Sequence, residues 1–162
     1  MAHAQHSGGG IIVMSFVAAL LLTMLPLPEM LRGLRPEWVT LVLIYWCMAL
    51  PYRIGIGWAW VAGLMLDVST GSLLGQHALA LAIVAFLTLK LHQRIRFFPL
   101  MQQGFAILML VAMAQLINLW INGIINTPPT SWTYWLPSLI SAALWPWLFI
   151  VMRGVRRHFR VQ

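Results

Sequence analysis

Acidic residues are almost absent from this sequence, which holds three Asp and Glu against ten Lys and Arg in 162 residues. Charged residues make up only 8% of the chain, whereas about a quarter of a soluble domain is charged. So few charges cannot cover a water-facing surface, and 61% of the residues are hydrophobic. The composition therefore predicts an integral membrane protein, and the length predicts a single transmembrane domain over residues 1–162.

Cysteine and candidate catalytic groups are equally scarce. Cys47 is the one cysteine, so an internal disulfide is excluded. The three acids and five scattered histidines form no recognisable triad, no carboxylate pair within one element and no metal-ligand motif such as HExxH. We therefore expect that the protein is not an enzyme and that it binds no metal and no cofactor.

Six apolar runs, separated by proline, glycine or charged residues, predict an all-α bundle of six helices. A helix needs about 20 residues to cross the membrane, and the first three runs reach only about 15. They are interpreted either as short or tilted spans supported by neighbours, or, for the second and third, as a re-entrant hairpin. A turn is predicted over residues 69–72. The runs are Ile11–Leu25, Trp38–Leu50, Ile54–Val68, Leu73–Leu91, Leu100–Ile121 and Tyr134–Met152.

The basic residues favour six spans with both termini in the cytoplasm. This topology places eight of them on the inner side and two on the outer side, as the positive-inside rule expects. A re-entrant hairpin would misplace only Arg53, so charge alone leaves both interpretations open. The inner residues are Arg53, Lys90, Arg94, Arg96, Arg153, Arg156, Arg157 and Arg160, and the outer ones are Arg32 and Arg35.

The two tails are predicted to lie in the cytoplasm. Residues 1–10 contain no Lys or Arg and precede no small-residue cleavage site, so we expect no cleaved signal peptide. The basic tail, residues 153–162, would lie against anionic lipid or, as the less favoured alternative, contact a cytoplasmic partner. The positive charge is thus a signal of membrane orientation, and nucleic-acid binding is not expected.

The third run carries a stripe of small residues. Gly55, Ala59, Gly63 and Asp67 are spaced by four, so they share one face of a helix. Small residues at this spacing let two helices approach closely in lipid. The stripe is interpreted as a helix-packing seam or as one wall of a pocket.

Asp67 needs a separate explanation, because a carboxylate inside hydrocarbon is costly. We expect it to lie at the membrane interface, to be paired, or to face a cavity. His77, Arg32 and Arg35 are the candidate partners at that depth. A simpler interpretation is that Asp67 helps to end its helix beside the predicted turn.

The fifth run contains three amides on one face of its helix, Gln115, Asn118 and Asn122. Such amides either hydrogen-bond a neighbouring helix or line a pocket. If this stripe faced Asp67, the two would form one polar cavity that opens outward.

Three segments, RPEWVTLVLIYWCMALPYRIGIG, GLMLDVSTGSLLGQHAL and LWPWLFIVMRGVRRHF, together resemble the MreD family of rod shape-determining membrane proteins. The middle segment is similar to the family pattern GLxxDxxxGxxLGxxAL. It matches at Gly63, Leu64, Asp67, Gly71, Leu74, Gly75, Ala78 and Leu79. One departure is Ala59-Trp60, where the family favours a glycine before an aromatic residue.

The resemblance implies a non-enzymatic, multi-pass subunit of the bacterial inner membrane that controls rod shape through cell-wall elongation. It implies MreC as a partner, and further MreB, the glycosyltransferase RodA and its transpeptidase. The family also resembles the six-helix substrate-binding components of vitamin transporters. The alternative function is therefore small-molecule binding or transport.

Overall fold

The computed structural model describes residues 9–26, 28, 36–51, 54–71, 73–124 and 135–158. These residues form six helices and no strand, which confirms the predicted all-α class. Outside the described residues lie four arginines on which the topology prediction relies, Arg32, Arg35, Arg53 and Arg160. Residues 1–8 and 159–162 of the two tails also lie outside them. The helices are α1 (Gly9–Met24), α2 (Trp38–Ala49), α3 (Ile56–Thr70), α4 (Gln76–Arg96), α5 (Leu100–Ile124) and α6 (Leu136–His158).

The helices fall into two length classes. α4, α5 and α6 have 21, 25 and 23 residues and are long and apolar enough to cross a membrane. α1, α2 and α3 have 16, 12 and 15 residues. At 1.5 Å per residue, α2 is only about 18 Å long.

The shortest helix, α2, is the centre of the bundle. Ten of its twelve residues, from Val39 to Met48, are buried. It packs against α1, α3, α4 and α6. A helix that is apolar all round belongs in a protein interior, where its shortness creates no mismatch with lipid.

Polar side chains tie α2 to its neighbours. The indole Nε1 of Trp46 donates to Ser15 Oγ on α1 at 2.8 Å. The backbone N–H of Glu37, just before α2, donates to Ser141 Oγ on α6 at 2.9 Å. In a membrane, serine at such contacts allows close packing and satisfies a donor that lipid could not.

α3 and α4 form a helical hairpin with backbones in direct contact. A methyl group on Gly63 would overlap the backbone of Ala78 and lie 2.7 Å from the carbonyl carbon of His77. Ala59 and Asp67, one turn before and after Gly63, are buried on the same face. Gly55 precedes the helix as its N-cap, with open space around its Cα.

The predicted turn at residues 69–72 begins too early, because Ser69 and Thr70 belong to α3; Gly71 is a turn residue, and Ser72 lies outside the described residues. The predicted helix start at Leu73 is also too early. α3 continues through Thr70, the connection follows from Gly71 to Gly75, and α4 begins at Gln76. Ser69 and Thr70 donate their hydroxyl hydrogens to carbonyls four residues back, at 2.8 Å each, so they extend the helix. Gly71 ends it, with φ of 70° and its N–H bonded to the Asp67 carbonyl.

The far end of α4 is held by Gln103 of α5. The Gln103 amide donates to the carbonyls of Ile95 and Phe98 at 3.2 and 3.3 Å. Its oxygen accepts from Nε1 of Trp145 on α6 at 3.0 Å. One buried side chain therefore joins α4, α5 and α6.

Pro146 lies inside α6 without ending the helix. Proline has no N–H, so the carbonyl of Ala142, four residues back, loses its usual helical donor. This carbonyl faces Gly104 of α5, where a Cβ would lie 3.5 Å from the oxygen. The missing hydrogen bond thus falls where two helices approach closely.

Gly63→Ala should lower the free energy of unfolding by about 1–3 kcal/mol, as overpacking of a tight contact does. The cause is the overlap of the new methyl group with Ala78. Thermal unfolding in detergent micelles measures the effect.

Gly57→Ala is the matched control, since Gly57 lies in the same helix with open space around it. It should not destabilise, because alanine favours a helix over glycine by about 1 kcal/mol. Equal losses in the two variants would contradict the close approach of α3 and α4.

Candidate functional site

The carboxylate of Asp67 is the centre of a polar cluster where α3 turns into α4. The residue is only 1% exposed. Its Oδ1 accepts the backbone N–H of His77 at 2.9 Å and lies 2.7 Å from the Nδ1 of the same residue. Its Oδ2 accepts the backbone N–H of Gly75 at 2.9 Å. The buried charge therefore has three hydrogen-bond partners.

This arrangement caps α4 with a side chain from the preceding helix. The first N–H groups of a helix have no acceptor within it, and the N-cap residue Gly75 has no side chain to supply one. Gly75 adopts φ of 98°, a left-handed conformation that suits glycine and lets the chain turn toward Asp67. The negative charge also lies at the positive end of the α4 dipole. Asp67 thus accepts hydrogen bonds from the backbone N–H groups at the start of α4, a role that the side chain of the N-cap residue has in other helices.

His77 is the partner that the structure gives Asp67, which confirms one of the three predicted candidates. Because the carboxylate can only accept, the short contact requires the proton on Nδ1. The His77 side chain is 20% exposed, so part of it reaches beyond the cluster.

A cavity of about 240 Å³ adjoins this cluster. It lies between the C-terminal ends of α1 and α3 and the N-terminal ends of α2, α4 and α6. Polar and apolar side chains share its wall. The lining residues are Thr23, Pro36, Glu37, Trp38, Val39, Leu66, Thr70, His77 and Pro137.

Glu37, the N-cap residue of α2, is the acid of this cavity. Burial raises its pKa above the usual 4.5, and the charge of His77 and a hydrogen bond from Thr40 oppose that rise. Its side chain caps no N–H of α2. The environment therefore favours the neutral acid or the arrival of a compensating positive charge.

The amide stripe of α5 contacts the start of α4. Asn122 Oδ1 accepts from Nε2 of Gln76, the first residue of α4, at 3.1 Å. Gln115 and Asn118 are buried, and Asn118 Oδ1 accepts no hydrogen bond from the described residues. α3 and α5 both pack mainly on α4, and none of these amides lines the cavity beside His77. A polar cavity shared by Asp67 and this stripe stays a prediction.

Sequence reasoning missed three polar residues that the structure brings into contacts between helices. Glu37 had a usable signal, since an acid directly before a long apolar run is a common helix start. Gln76 and Gln103 are single amides without a spaced partner, so no pattern marked them. Among the described residues, no group of three His, Cys, Asp or Glu could hold a metal.

Fold and site together define a small helical membrane protein whose buried polar groups join helix ends. Comparison with known proteins agrees. The model of the MreD family, described as rod shape-determining protein MreD, matches residues 6–155. The rod shape-determining protein MreD of Haemophilus influenzae is 33% identical over 150 residues, which cover 93% of each chain. No solved structure matches the chain.

The chain belongs to the MreD family of rod shape-determining proteins. This is a family of membrane proteins, and the three long apolar helices fit insertion into a bilayer. The segment that carries the family pattern is the same α3–α4 hairpin that Asp67 holds together.

Asp67→Asn should destabilise the hairpin by about 1–3 kcal/mol, the range for leaving a buried polar group unsatisfied. The new side-chain NH₂ group is itself a hydrogen-bond donor. It would face one of the backbone N–H groups from which the carboxylate now accepts a hydrogen bond. Hydrogen exchange at the amides of Gly75 and His77 should become faster, which mass spectrometry of the intact protein in micelles would measure.

Ser69→Ala is the control, because it removes only a hydrogen bond within α3, to the Met65 carbonyl. It should leave exchange at Gly75 and His77 unchanged. Unchanged exchange in Asp67→Asn as well would show that the carboxylate does not cap α4.

Proposed function

We propose that this protein is a non-enzymatic subunit of the bacterial cell-wall elongation complex, in the inner (cytoplasmic) membrane. It docks MreC and links it to MreB, to the wall glycosyltransferase RodA and to the transpeptidase of RodA. Membership of the rod shape-determining MreD family is the observation that carries this proposal.

The proposed topology has six spans and cytoplasmic termini. The described basic side chains support it, because they cluster at the C-terminal ends of α4 and α6. Arg156 of α6 lies near the hydroxyl of Tyr45, in the second half of α2. Glu37 marks the start of α2, at the opposite end. The bundle therefore has a basic end and an acidic end, and the positive-inside rule assigns the basic end to the cytoplasm.

A reporter enzyme inserted in the connection between Gly71 and Gly75 should be active only in the periplasm. A second fusion after residue 158 should report the cytoplasm and serves as the control. A cytoplasmic signal from the first fusion would overturn the six-span topology, since it would place the acidic end on the inner side.

The surface of the bundle suits a partner that crosses the membrane once. α5 presents a row of exposed apolar side chains at a spacing of four, and α1 presents a similar one. Unbranched methionines on such a row adapt their shape to a neighbouring helix. The α5 row is Met101, Phe105, Met109 and Met113, and the α1 row is Val13, Val17 and Leu21.

The alternative function, binding a small molecule as vitamin-transporter components do, has the cavity in its favour. Its volume of about 240 Å³ is below the roughly 300–1,000 Å³ typical of small-molecule sites. It also lies at one end of the bundle, whereas transporter sites usually lie near the midplane. These two facts favour the docking subunit.

Co-purification of full-length MreC with this chain is the direct test. MreC should be retained, whereas a single-span membrane protein of equal length, used as a control, should be lost. The chain should also restore rod shape to bacteria that lack their own MreD. A soluble small molecule bound at one per chain, with MreC absent and rod shape not restored, would favour the alternative.

A further inference from the structure

The cavity at the acidic end of the bundle presents hydrogen-bond acceptors but few free donors. Thr23 and Thr70 donate their hydroxyl hydrogens to the carbonyls of Ala19 and Leu66 at 2.8 Å. The Nδ1 proton of His77 is held by Asp67. The lining therefore selects a ligand that brings its own donors.

Two acceptors remain for such a ligand. They are the carboxylate of Glu37 and the lone pairs of the Thr23 hydroxyl. Glu37 supplies a negative charge that no described Lys or Arg in the lining neutralises. An ammonium group, with three donors and a positive charge, fits this set of acceptors.

The rest of the wall is apolar and aromatic. Trp38 can stack its ring on a cation, and Val39 and Leu66 can contact methylene groups. A volume of about 240 Å³ is several times the roughly 30 Å³ share of one water molecule, so a small headgroup can enter.

The cavity lies among helix ends, which in a membrane protein meet the lipid headgroups. Glu37 lies at the start of α2, and Thr23 lies near the end of α1. An ammonium in a lipid headgroup therefore lies at the depth of this cavity.

We propose that this cavity binds the headgroup of an aminophospholipid, phosphatidylethanolamine. Its ammonium lies between the carboxylate of Glu37 and Thr23 Oγ1. Phosphatidylcholine is excluded, because its trimethylated nitrogen donates no hydrogen bond and is bulkier. In the topology proposed above, the lipid belongs to the outer leaflet.

Native mass spectrometry of the purified chain, exchanged into equal amounts of the two lipids with matched acyl chains, tests this proposal. Phosphatidylethanolamine should be retained about tenfold over phosphatidylcholine, the effect expected of one charge-assisted hydrogen bond. Glu37→Gln should abolish the preference, and thermal unfolding of the variant would verify that it remains folded.

Thr23→Val should reduce the preference, and Thr88→Val is its matched control. Both threonines bond a carbonyl four residues back, but Thr88 lies outside the cavity lining. Equal retention of both lipids by the unmodified chain would overturn the proposal. A preference that survives in both Glu37→Gln and Thr23→Val would overturn it too, because the lipid would then bind elsewhere.

Discussion

The carboxylate of Asp67 accepting two backbone N–H groups of α4 is the interaction on which the bundle depends. The start of α4 is buried within the protein, so another part of the protein must supply the acceptors that water cannot. A local side chain is not available, because glycine occupies the N-cap position where the chain turns. By supplying the acceptor from α3, the protein fixes the hairpin in register and keeps Gly63 against Ala78.

α4 is held in a similar way at its other end. Gln103 of α5 donates to the carbonyls at the end of α4, so the helix is capped once by its predecessor and once by its successor. Buried polar groups elsewhere join helices through serine and tryptophan. The apolar middle of the bundle contributes packing, whereas these polar contacts decide which helix end meets which.

The sequence predicted the six helices well, because proline, glycine and charge interrupt the apolar runs clearly. It misplaced the α3–α4 turn, since Ser69 and Thr70 favour turns in water but bond their own helix here. The four-residue spacing predicted the stripe that contains Gly63. The depth of His77 in the membrane predicted it as a partner of Asp67. The sequence could not show that α2 is central. Helices that are apolar on all sides carry no periodicity that reveals their neighbours.

The burial of α2 has a consequence for how the protein experiences the bilayer. Bacteria alter the thickness and fluidity of their membranes with temperature and growth. Helices that face lipid must tilt or shift in response, at a modest energetic cost. α2 faces almost only protein, so its length is set by the helices around it and not by the acyl chains. The core of the bundle is thus insulated from the lipid, and its outer helices can adapt while the central contacts stay fixed.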